Sequence, residues 1–164
     1  MQCAQGRFRD GGDLICQATS CAATGIISTN MDESLPLAGL KVMVIDDSAT
    51  IRKSVQIFLA QAGVQVVLAE DGFDALAKVN DYQPAIIFCD ITMPRLDGYQ
   101  TCSLIKKNPK FSATPVVMLS SKDGLFDRAR GRLAGSDEYL TKPFTKENFL
   151  GIVMAQTTRS RGQA

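Results

Sequence analysis

The sequence predicts an α/β domain, a parallel sheet with helices on both faces. Three observations carry this. From Gly39 onward, short apolar runs alternate with segments of helical period, five of each. The run Ala85–Cys89 (AIIFC) has no polar interruption, as expected of a strand buried on both faces. Four of the five apolar runs lead into groups that can carry chemistry. Ligands bind at the carboxyl edge of open parallel sheets, so this placement fits the same fold.

The elements follow in order. Lys41–Ile45 (KVMVI) is a short strand running into Asp46, Asp47 and Ser48. Thr50–Ala62 has helical period, with Ile51, Val55, Phe58, Leu59 and Ala62 on one side, Ser48 as N-cap and Gly63 as its stop. Val64–Ala69 is the second strand, broken by Asp71-Gly72, and Phe73–Asn80 returns to helix with Leu76 and Val79 inward. Pro84 closes the loop before the central strand, which ends on Asp90. A loop, Ile91–Gly98, holds Pro94 and Asp97-Gly98. Tyr99–Lys107 reads as the third helix, with Cys102, Leu104 and Ile105 as core candidates. Pro115–Leu119 is the fourth strand, leading into Ser120, Ser121 and Lys122. Leu125–Ala134 is a fourth helix that carries Arg128, Arg130 and Arg132, and Gly131 inside it costs helix stability. Glu138–Thr141 is a short fifth strand before Lys142-Pro143-Phe144. Thr145 caps a last helix through Thr158, and residues 159–164 read as a frayed polar tail. This alternation alone does not decide the strand order.

Residues 1–38 differ in character. They are rich in Gly, Ala, Ser and Thr, hold three of the five cysteines and lack a period, as expected of a flexible leader. Two arginines against four acids give them a charge of −2, leaving +3 for residues 39–164. Asp10 and Asp13 argue against a secretory signal, and Met31 offers an alternative start that would make residues 1–30 an extension. No apolar run reaches the length of a membrane span, and a net charge of +1 gives no pull toward nucleic acid. Five irregularly spaced cysteines, one in the central strand, suit a reducing cytoplasmic setting. The chain has no histidine. It therefore offers no His general base, His metal ligand or phosphohistidine, and a donor histidine must come from a partner.

The strand ends form one constellation: Asp46-Asp47 after the first, Asp90 after the third, Ser120-Ser121 after the fourth, Lys142 after the fifth. Clustered carboxylates repel one another unless a cation lies among them. An all-oxygen donor set suits Mg²⁺ or Mn²⁺ rather than zinc. A carboxylate there can act as nucleophile toward phosphorus, with the Lys142 ammonium and the Ser120 hydroxyl meeting phosphoryl oxygens. Metal-dependent phosphoryl acceptance on Asp90 is the expectation. Taken singly, each residue has an ordinary structural reading. Asp46-Asp47 can be capping acids, Asp90 an Asx-turn former, Ser120 a helix cap and Lys142 a solvated lysine. These readings would have to hold together at four strand ends.

The blocks VMVIDDS, IIFCDITMPRLDGYQ, PVVMLSS and YLTKPF resemble the signature blocks of response-regulator receiver domains over about residues 39–158. That resemblance implies a flavodoxin-like open (βα)5 sheet of order 2-1-3-4-5. It makes Asp90 the phosphoacceptor, with Mg²⁺ held by Asp46, Asp47, Asp90 and the Thr92 backbone carbonyl. It implies that Ser120 and Lys142 contact the phosphoryl group, that Ser120 and Tyr139 form the switch, and that Lys142–Pro143 is cis. Thr92 and Lys122 would flank the approach of a hydrolytic water. A histidine kinase would be the donor. Output would be changed protein binding on the face bearing Arg128, Arg130 and Arg132, which also reads as a plain solvated basic face. DGFDALAK and PRLDGYQTCSLIK are similar to stand-alone receivers of type IV pilus (twitching motility) chemosensory systems. The implied output partner is then a pilus or signalling protein, in a phosphoprotein that is not itself an enzyme. A phosphate sink is a variant of the same reading.

Two other classes fit less well. A haloacid-dehalogenase-like phosphatase needs a second Asp two residues after its nucleophile, where Thr92 and Ser48 stand. A transcription factor would need a DNA-binding domain after the fifth helix, and none is expected here.

Overall fold

The computed structural model describes residues 37–121 and 124–162, with the side chains of residues 160 and 161 outside that set. Residues 1–36 of the expected leader, Met31 included, lie outside the described residues, as do Lys122 and residues 163–164. The elements are β1 (Lys41–Ile45), α1 (Ala49–Ala60), β2 (Gln65–Ala69), α2 (Gly72–Tyr82) and β3 (Ile86–Asp90). They continue as α3 (Gly98–Lys107), β4 (Val116–Ser120), α4 (Leu125–Leu133), β5 (Glu138–Thr141) and α5 (Lys146–Gly162). All strand pairs are parallel, in the order β2-β1-β3-β4-β5. The expected order 2-1-3-4-5 is the one found.

Two apolar layers flank the sheet. On one face Met43, Ile45, Ile87, Cys89, Val116 and Met118 pack with α2 and α3. On the other, Val42, Val44, Ile86, Phe88, Val117 and Leu119 pack with α1 and α5. This alternation is why the central strands read as unbroken apolar runs: both faces of β3 and β4 are covered, and every residue in them is buried. The Phe149 ring of α5 lies against Phe88 at 3.9 Å between centroids and against Phe144 at 5.4 Å. Phe149 is fully buried there, so Phe149→Ala is expected to lower unfolding free energy by about 3–5 kcal/mol, read as a shift in urea midpoint at constant slope.

Three local expectations are corrected, and a fourth holds in position but without the side-chain bond. Leu37, assigned to the leader, is 1% exposed and packs on the α1/α5 face, with its carbonyl accepting from Leu40 N–H at 3.0 Å. Leu104, expected in the core, is 44% exposed. Helix α5 continues to Gly162, into the segment read as a tail. Ser48 occupies the N-cap of α1 but its side chain makes no cap bond. Instead its backbone N–H donates to Asp46 Oδ1 at 2.8 Å. Thr145 does cap α5, accepting from Asn148 N–H on its Oγ1 at 3.3 Å. Gly131, costly in a helix, is the one buried residue of α4, and a Cβ there would lie 2.9 Å from Ser136 Oγ. It lets α4 approach the sheet.

Candidate phosphoryl-accepting site

Parallel pairing brings the strand ends together. Ile45 of β1 is in register with Cys89 of β3, so Asp46 and Asp90 leave the sheet side by side. Asp46 is fully buried, Asp90 is 4% exposed and Asp47 is exposed. One carboxylate oxygen from each lies within 4.8 Å of the others. From β5, Lys142 Nζ donates to Asp46 Oδ2 at 2.7 Å and to Asp90 Oδ1 at 2.9 Å. The Lys142 backbone N–H donates to the Ser120 carbonyl at 2.6 Å, which ties the ends of β4 and β5. The Lys142–Pro143 bond is cis.

Electrostatics follow from burial and charge. Burial pushes the Asp90 carboxyl above its ordinary value; the bond and charge of Lys142 oppose this, and the charges of Asp46 and Asp47 add to it. Burial alone would lower Lys142, but its bonds to Asp46 and Asp90 win and raise it. Lys142 therefore stays an ammonium between two buried carboxylates. Three carboxylates and one ammonium leave a formal deficit that a divalent cation matches, and the donors are all oxygen.

Other expected residues fall around this centre. Ser120 is buried at the end of β4, and Thr92 is exposed in the β3–α3 loop. Tyr139 is half-buried on β5, and the Arg128 guanidinium lies 5.5 Å from its ring centroid. Arg130, on the same helix, lies 4.6 Å from the ring of Tyr99 instead, and Arg132 is exposed. Thus the three arginines do not share one face.

Further supporting residues come from tertiary contacts. Arg52 Nη1 donates to the Asp46 carbonyl at 2.6 Å. Asp71, buried at the start of α2, accepts from Asp74 N–H at 2.8 Å and pairs with Arg95 of the β3–α3 loop. Gly98 N–H donates to the Ile91 carbonyl at 3.0 Å, closing that loop under Asp90. A Cβ on Gly98 would sit 2.2 Å from the Asp90 carbonyl oxygen. The Asp97-Gly98 pair was legible only as loop punctuation; its closeness to Asp90 comes from loop closure.

The response regulator receiver domain family matches residues 42–154. The chain belongs to that family. The receiver is 66% identical over 117 residues to Protein PilG of Pseudomonas aeruginosa, covering 71% of this chain and 87% of that protein. It is 35% identical over 120 residues to the alkaline phosphatase synthesis transcriptional regulatory protein PhoP of Bacillus subtilis, covering 73% of this chain but 49% of PhoP. Among solved structures, the receiver matches chemotaxis protein CheY4 of Vibrio cholerae with a TM-score of 0.70 and 31% identity, covering 72% of this chain and 98% of that one. A Francisella response regulator receiver domain matches with a TM-score of 0.69 and 32% identity, covering 74% and 99%. The protein is thus a receiver-domain response regulator, a signalling protein similar to PilG. No helix among the described residues is long and apolar enough to cross a membrane.

Proposed function

We propose that this receiver accepts a phosphoryl group on Asp90 from a partner's phosphohistidine and signals through changed protein binding in a cytoplasmic relay controlling type IV pilus motility. The observation that carries the site is the Lys142 ammonium shared by Asp46 and Asp90, with Asp47 alongside. Asp46, Asp47, Asp90 and the Thr92 carbonyl would hold Mg²⁺, and Mn²⁺ could replace it. The ion, when bound, supplies positive charge for phosphoryl oxygens. Lys142 opposes the upward push that burial gives the Asp90 carboxyl, and the Asp90 carboxylate oxygen attacks phosphorus. A P–O bond forms as the P–N bond breaks, and the electron pair leaves with the donor imidazole, which takes up a proton. Lys142 and the Ser120 hydroxyl then meet phosphoryl oxygens. Those contacts favour one state of Ser120 and Tyr139 over the other, a population shift of the α4–β5 region. Similarity to PilG over 117 residues supports the pilus assignment.

Intact-mass measurement after incubation with Mg²⁺ and acetyl phosphate tests the acceptor. A gain of one phosphoryl group is expected for the wild type and none for Asp90→Ala. No gain with any small phosphodonor, or an equal gain in the variant, would overturn the assignment.

A further inference from the structure

A second surface lies away from the carboxylates. Between α3 and α4 runs an open groove of about 480 Å3, lined by Leu96, Tyr99, Leu104, Lys107, Leu133 and Ala134, with polar side chains of α3 between them. Its two leucines are unusually exposed: Leu104 at 44% and Leu133 at 88%. Exposed leucines set side by side in a concavity mark an interaction site more strongly than scattered ones. The groove contains neither Asp90 nor Lys142 and does not depend on phosphoryl chemistry.

Charge selects the occupant. Helices α3 and α4 follow parallel strands, so their last turns lie at one end of the groove. Those turns carry Lys106, Lys107, Arg130 and Arg132. Lys106 is committed to Asp137 at 2.7 Å, and Arg132 lines a different concavity with Arg128, Asp137, Glu138 and Tyr139. Lys107 lines the groove, and Arg130 borders it through its stacking on Tyr99 at 4.6 Å. No carboxylate is among the groove's lining residues, and the one that borders it, Asp127, accepts from the Tyr99 hydroxyl at 3.2 Å; the concavity on the other side of α4 contains two. On the β5 side the two carboxylates are balanced by Arg128 and Arg132, so an acidic partner is favoured on the α3 side of α4. Two helices flanking an apolar trough suit a third helix, which presents apolar anchors one turn apart.

We propose that the α3–α4 groove docks an acidic amphipathic helix of a partner protein, with leucine-type anchors against Leu104 and Leu133 and carboxylates on Lys107 and Arg130. This surface is separate from the Arg128–Arg132–Tyr139 side of α4.

The full chain can be titrated with two fluorescent synthetic peptides of equal length. One has leucine at alternating third and fourth positions and glutamate elsewhere; the other has lysine for every glutamate. Saturable binding of the glutamate peptide is expected, with amide NMR shifts confined to α3, Leu96 and the second half of α4. Lys107→Glu with Arg130→Glu, and separately Leu104→Ser with Leu133→Ser, should each weaken binding about tenfold or more. These side chains are exposed or at the groove edge, and circular dichroism checks that both variants fold. Arg128→Glu with Arg132→Glu should leave binding within about twofold. Absent binding, equal binding of the lysine peptide, or shifts centred on Tyr139 and β5 would overturn the proposal. So would a concentration-dependent dimer in sedimentation that Leu133→Ser abolishes, because a second copy would then be the occupant.

Discussion

Gly98→Ala should destabilise the receiver by about 2–3 kcal/mol and weaken its hold on divalent cations. A Cβ at this position would lie 2.2 Å from the Asp90 carbonyl oxygen and 2.8 Å from Ile91 Cα. Both are backbone atoms of the segment leaving β3, so no flexible side chain can swing aside. Either α3 retreats, breaking the Gly98 N–H to Ile91 carbonyl bond of 3.0 Å, or the Asp90 backbone moves. The second route displaces the proposed nucleophile and the start of the loop that carries Thr92. Urea unfolding reads the stability loss, and fluorescence or calorimetric titration with Mg²⁺ reads the affinity. Gly151→Ala is the contrast. Gly151 lies in α5 and is exposed, and a Cβ added to it would meet no atom within 4 Å. There alanine should add about 0.5–1 kcal/mol through helix propensity. If Gly98→Ala matched Gly151→Ala in sign, the close approach at Asp90 would not constrain the fold.

The contrast also shows what a sequence discloses. Strands β1, β3 and β4 were legible because both faces of the sheet are covered, and such strands must be apolar throughout. The candidate site was legible as a cluster because polar groups sit where those runs stop: Asp46, Asp90, Ser120 and Lys142 each follow or end one. Gly98 was legible only as a turn residue, because its closeness to Asp90 exists only after the loop closes. Leu104 was misplaced for a related reason. Its position on the helical wheel sets it toward α4 rather than toward the sheet, and periodicity alone does not say which neighbour a stripe meets. Leu37 lay inside a stretch of leader-like composition, and its burial comes from the α1/α5 layer rather than from its neighbours in sequence. The polar last turns of α5 carried no apolar stripe by which the helix could be extended. Arg52, Arg95 and Tyr99 have ordinary local contexts; their contacts to Asp46, Asp71 and Asp127 cross between elements.

Lys142→Met should cost about 3 kcal/mol near neutrality, and the loss should shrink as pH falls. In the wild type, Lys142 is 13% exposed in its side chain and joins Asp46 at 2.7 Å and Asp90 at 2.9 Å. Its folded-state pKa is raised, so its contribution is fully present below the unfolded lysine value and disappears only as pH rises through the folded one. At neutral pH the wild type therefore has all of it. Removing the ammonium leaves two buried carboxylates without their cation. Asp90 is already pushed up by burial, and without Lys142 nothing in the pair opposes that push. A carboxyl raised in the folded state destabilises the fold where it must ionise, and that penalty vanishes as it takes up a proton. The difference between wild type and variant should thus be largest near neutrality and smaller in mild acid. Millimolar Mg²⁺ should restore more stability to the variant than it adds to the wild type, since the cation meets carboxylates that have lost their ammonium partner. Urea midpoints across pH, with and without Mg²⁺, measure each part. A loss that is independent of pH and untouched by Mg²⁺ would mean that Lys142 acts by packing, and the charge balance assigned to the site would fail.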